Sequence, residues 1–191
     1  MSELKEKDLD PGPTRLALPV DPARDHTLGP PTAAVTLLEY GDYECPDCGR
    51  AYPMLKDLTA RFGDRLRFVF RHFPLYTIHS HASIAAQAAE AAAAQGKFWP
   101  MHDLLYQHQA ALDTPDLTHY ALQLGLEVYK FESTLDSGVF RRRVEQDYDS
   151  GRQSGVRGTP TLFINEQRYQ GPIEVEAIAE GIRRAGSHGV T

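Results

Sequence analysis

The sequence predicts an α/β chain: a β-α-β unit, then a block of helices, then a β-hairpin and a closing helix. Three observations predict it. "AAVTLLEY" at 33–40 is apolar and β-branched, and a segment of helical period follows it. "RLRFVFRHF" at 65–73 alternates like a strand. Residues 80–153 then carry helical period with no good strand, before "TLFI" and "QRYQG" flank a turn at Asn165-Glu166. The expected organisation is an extended N-terminal arm over 1–31, a sheet-bearing domain over 32–79 and 154–187, and an all-helical insertion over 80–153.

The arm holds six of the thirteen prolines and many charges, with a short strand expected at "RLALPV". The run at 33–40 lacks clean alternation, which suits a strand buried on both faces. After the loop "GDYE", a helix begins at Pro46, where the missing N–H costs nothing. Tyr52, Leu55, Leu58 and Phe62 form one apolar face. Pro53 should kink this helix, and Gly63 should close it. The first β-α-β should be a right-handed parallel unit. In the insertion, "HASIAAQAAEAAAAQ" holds nine alanines between 82 and 94, which favours a helix that packs closely. Four or five helices are expected there. Trp99 falls on an apolar stripe and is expected in the core.

The bulk properties exclude some functions. A formal charge of −6 carries no basic stripe for nucleic acid. Arg141, Arg142 and Arg143 precede Glu145, Asp147 and Asp149 and are expected to form a solvated helix face. No apolar run approaches the ~18 to 20 residues of a membrane span. The first residues are charged and proline-broken, unlike a secretory leader. The expected location is the cytoplasm, where a permanent structural disulfide is uncommon.

The chain has two cysteines, Cys45 and Cys48, in "EYGDYECPDCGR". At a helix start this spacing puts two thiols one turn apart, within reach of a disulfide. Helix N-terminal N–H groups favour an anion, so the Cys45 thiol should be acidified and act as an exposed nucleophile. Cys48 should be more buried and resolve the mixed disulfide. A structural zinc site needs four ligands, and the nearest histidines, His72, His79 and His81, lie beyond a strand. His79 and His81 are expected at a helix cap or on the surface. No metal and no organic cofactor are expected.

"EYGDYECPDCGRAYP" together with "GVRGTPTLFINEQRYQG" resembles the thioredoxin-like fold of the DsbA family, over about 33–185. "FRHFPL" and "GKFWPMHDLL" are similar to segments of that family, as is the helical insertion. The resemblance implies that Thr159-Pro160 is a cis bond facing the cysteines, with the Thr159 backbone free to bind an extended substrate. It also implies a buried acid at Glu39, able to take the Cys48 proton. Asp47 departs from the strongly oxidising pattern, which has histidine there. A carboxylate beside Cys45 opposes its ionisation, and a potential of roughly −270 to −180 mV is expected.

The expected function is a thiol–disulfide oxidoreductase acting on protein or peptide dithiols and disulfides, recycled by a partner the sequence does not identify. Two rivals remain: a glutathione-dependent transferase or isomerase of kappa-type fold, and a non-catalytic thioredoxin-like adaptor of the kind that accompanies a membrane protein.

Overall fold

The computed structural model describes residues 13–187. A five-stranded sheet has the order β1-β3-β2-β4-β5. The strands are β1 (His26–Leu28), β2 (Val35–Gly41), β3 (Leu66–His72), β4 (Thr161–Ile164) and β5 (Gln167–Arg168). β2 and β3 are parallel, while β1–β3, β2–β4 and β4–β5 are antiparallel. Helix α1 (Pro46–Phe62) joins the parallel pair. Five helices separate β3 from β4: α2 (Ala82–Ala93), α3 (Phe98–Gln107), α4 (Thr114–Gln123), α5 (Val128–Ser137) and α6 (Arg141–Gln153). Helix α7 (Val175–Ser187) follows the hairpin. No described helix is long and apolar enough to cross a membrane.

The side-chain period of two sorts the central strands between two cores. Leu37, Phe68 and Phe70 face α1, α7 and the helical block. Leu38, Tyr40, Val69 and Phe163 face Leu16, Phe73 and Val156. Glu39 lies between Leu37 and Gly41 on the α1 side, so strand register alone drives a carboxyl into the larger core. At the hairpin, Asn165 and Glu166 both have positive φ, the geometry a two-residue turn needs to match strand twist.

Two expectations are corrected. The strand of the N-terminal segment is β1 at 26–28, not 15–20, where Arg15 makes only an isolated bridge to Gln167. Three residues give too little periodicity to register. Part of the segment packs against the domain: Leu16 is buried, and Asp25 makes a two-point ion pair with the buried Arg71 at 2.8 and 2.9 Å. Residues 1–12 of the expected arm lie outside the described residues. The arginine run is not a uniformly solvated face. Arg141 and Arg142 are exposed, but Arg143 turns inward and meets buried Asp147 at 2.5 Å. Trp99 packs against the larger core, as expected; it is half-buried there, and its Nε1 donates to Thr27 O at 3.2 Å. Pro53 lies inside the 17-residue helix α1, and Gly63 caps it, as expected.

Candidate active site

Cys45 is the N-cap of α1, with extended backbone, and Pro46 takes the first helical turn. Its N–H donates to Asp42 O at 3.2 Å, and Gly49 N–H returns to Cys45 O at 3.0 Å. Gln109, just beyond α3, straps this start from the insertion. Its Nε2 donates to Tyr43 O and Cys45 O, both at 2.8 Å. Glycine at 49 permits the approach, because a Cβ there would collide with the Gln109 amide oxygen. Nothing in the local pattern around 109 announced this contact.

Both thiols are free. Cys45 is 5 % exposed and Cys48 0 %, so the expected exposed nucleophile is instead mostly covered. Across the site, the Thr159–Pro160 bond is cis, as the resemblance implies. As a thiol, Cys45 Sγ donates to Thr159 O at 3.4 Å. The Thr159 hydroxyl is buried and otherwise unpartnered, available to a thiolate.

The two thiols are driven apart electrostatically. A hydrogen bond from Cys48 lowers Cys45 to about 6, against the opposing effect of burial, with help from Thr159 and the Cys48 N–H. Burial first, then the same hydrogen bond and the charges of Glu39 and Cys45, push Cys48 well above the ordinary thiol range. Asp42, not Asp47, is the carboxylate that opposes Cys45 ionisation. Asp47 points outward and pairs with Arg50. Asp47 is exposed, so water and Arg50 screen its effect on Cys45.

Asp42 is buried and holds the rim together. Its carboxylate accepts from Glu44 N–H and Leu75 N–H, both at 2.8 Å, and lies 2.7 Å from His79 Nδ1. His81 precedes α2 and contacts Glu44 at 3.1 Å. The signal for Asp42 was present as an Asp two residues before Glu44, an Asx-turn spacing.

Glu39 is 1 % exposed, and its Oε1 has no hydrogen-bond partner. Burial, and then the Cys45 charge, raise its carboxyl to about 8. Tyr106 OH is likewise buried and unpartnered. Both groups border Gly41, where a Cβ would strike Phe70, Tyr106 OH and Glu39 Oε1. A cavity of about 230 Å³ reaches Glu39 past Tyr52, Trp99, His102 and Asp103.

His72, Glu90 and Asp147 bring potential metal-ligand atoms within 4.8 Å of one another. Those carboxylates are already engaged. Glu90 contacts His26 and His72 at 2.9 and 3.0 Å, and Asp147 meets Arg24 at 2.7 Å. These contacts tie α2 and α6 to the sheet.

A family model described as Thioredoxin matches residues 22–184. The chain belongs to the thioredoxin family. Its fold is that of DsbA-type members. BdbD from Bacillus subtilis superposes with a TM-score of 0.78 at 23% identity, over 86% of this chain and 94% of that one. A thioredoxin-like oxidoreductase from Silicibacter pomeroyi gives 0.77 at 26% identity, over 87% and 94%. Wolbachia pipientis alpha-DsbA1 gives 0.76 at 18% identity, over 92% and 96%. Closer in sequence are proteins named Na(+)/H(+) antiporter NhaA. That of Salinispora tropica is 46% identical over 89% of this chain and 26% of its own length. That of Herminiimonas arsenicoxydans is 46% identical over 90% and 28%. The chain thus spans about a quarter of the length of these relatives.

Proposed function

We propose that this chain is a thiol–disulfide oxidoreductase acting through Cys45 and Cys48 on protein or peptide substrates. The observation that carries it is the asymmetry of the pair: an acidified Cys45 against the cis Thr159–Pro160, and a protonated Cys48 one turn deeper. A value near 6 falls between about 7 for thioredoxin and about 3.5 for DsbA. In the reducing direction the Cys45 thiolate attacks a substrate disulfide, and one substrate sulfur leaves as thiolate. Cys48 loses its proton and attacks Cys45 Sγ, which expels the second substrate thiolate. The substrate gains two electrons, and the protein keeps a Cys45–Cys48 disulfide. The reverse order oxidises a substrate dithiol.

Glu39 is the proton partner of Cys48. With a value near 8, it carries its proton at pH 7. It is therefore set to give a proton to departing Cys48 in the oxidising direction. In the reducing direction only its ionised fraction accepts one. Thr159 offers backbone to the substrate chain. The proposal includes a cytoplasmic setting and a separate recycling partner, in keeping with a chain whose two cysteines form one exchangeable pair.

Turnover of a disulfide peptide with dithiothreitol as regenerant tests this reading. Cys45→Ser should abolish turnover, and Cys48→Ser should trap a mixed disulfide. Unchanged turnover in Cys45→Ser would overturn it. The antiporter relatives favour one other reading, a thioredoxin-like adaptor attached to a membrane transport protein. Inertness of the oxidised protein toward dithiothreitol and glutathione would select it.

A further inference from the structure

A groove of about 360 Å³ lies between the β3–α2 loop, α6 and the loop leading to Pro160. Leu75, Tyr76, Tyr148 and Val156 form its apolar walls, and Arg152 and Arg157 are its only charged lining among the described residues. The wall is pre-formed. Tyr148 stacks on Phe73 at 4.5 Å and meets Tyr76 edge-on at 5.2 Å. Tyr76 and neighbouring Ile78 are exposed. Both arginines are exposed, and neither guanidinium has a partner among the described residues. Glu145 and Asp149 act on Tyr76 without lining the groove.

We propose that this groove receives the part of a substrate polypeptide that flanks its cysteine, and that Arg152 and Arg157 select acidic residues there. The inference rests on the redox reading above and names its substrate class. Continuity places the groove. Arg157 is two residues before Thr159, whose carbonyl touches Cys45 Sγ at 3.4 Å. Two extended residues span about 7 Å. A side chain two or three positions from the substrate cysteine therefore falls near Arg157, and Arg152 lines the same groove. Space at Gly158 is open, since a Cβ there would meet nothing within 4 Å. The substrate's apolar side chains would rest on the tyrosines, and its carboxylates would take the guanidinium forks in paired hydrogen bonds. The chain as a whole carries −6, so two unpaired cations lining one groove supply a local attraction for carboxylates.

The test compares two disulfide peptides of equal length, with Asp or Lys two residues either side of the cysteine. Bis(2-hydroxyethyl) disulfide serves as a neutral control. The wild-type protein should use the acidic peptide about tenfold better in kcat/KM at low ionic strength, and salt should shrink the gap. Arg152→Glu/Arg157→Glu should reverse the preference, and Arg152→Gln/Arg157→Gln should level it, with control turnover unchanged in both. Equal use of the two peptides by the wild type, or a preference insensitive to both double variants, overturns the inference while control turnover leaves the redox reading standing. Absence of control turnover in the wild type overturns both.

Discussion

Gln109 reaches across from the helical block and donates one hydrogen bond to Cys45 O and one to Tyr43 O, each at 2.8 Å. A half-buried side chain of the insertion thus fixes the backbone that presents the nucleophile. Gln109→Leu leaves two carbonyls without these donors. It should lower stability by about 1 to 2 kcal/mol, read from the urea midpoint. Gln109→Glu, which turns a carboxylate onto two carbonyl oxygens, should cost more. Equal stability of all three proteins would refute the strap.

Cys45 should titrate near pH 6 when its alkylation rate by iodoacetamide is followed against pH. Asp42→Asn should lower that midpoint, because Asp42 opposes the thiolate. Asp47→Asn should move it less, since Asp47 is exposed and paired with Arg50. The folded value lies below the ordinary 9.0, so the thiolate stabilises the reduced fold fully above about pH 9. That contribution is lost as pH falls through about 6, and Cys45→Ser should lack it.

Glu39 has the opposite sign. Its folded value, about 8, lies above the ordinary 4.5. The fold holds the proton more tightly than the unfolded chain, so Glu39 costs stability as pH rises from about 4.5 to 8. Glu39→Gln should be more stable than the wild type by on the order of 3 kcal/mol at pH 7, and slower in thiol exchange. A variant that is faster in both directions, or less stable at pH 8, would contradict the proton role.

The Asp25–Arg71 pair ties the N-terminal segment to the central sheet. Asp25→Ala would leave a buried guanidinium facing Tyr40 OH and the Leu18 and Pro19 carbonyls. A loss of about 3 to 5 kcal/mol is expected in denaturant unfolding. Restored stability in Asp25→Ala/Arg71→Met would show that the uncompensated charge is the cause.

Much of this was legible in the sequence because it depends on short-range signals. Apolar runs, Pro46 at a helix start and Asn165-Glu166 between two strands each act within a few residues. The depth of Glu39 follows from strand period once the strand is recognised. What stayed hidden was set by distant partners. β1 has three residues and exists through its pairing with β3. Arg143 reads as surface until Asp147 and Glu90 are seen inside. Asp47 stands between the cysteines in sequence, yet Asp42, folded back beneath the loop, is the carboxylate that opposes Cys45 ionisation. Proximity in sequence misled there because a side chain at a helix start points outward.

The reduction potential of the Cys45/Cys48 pair tests the central claim most directly. Equilibration in glutathione buffers, with thiols trapped and counted by mass spectrometry, should give a reversible two-electron couple at roughly −270 to −180 mV. A value near about −120 mV would contradict the balance of charges assigned here, and no reversible disulfide at all would contradict the proposed chemistry.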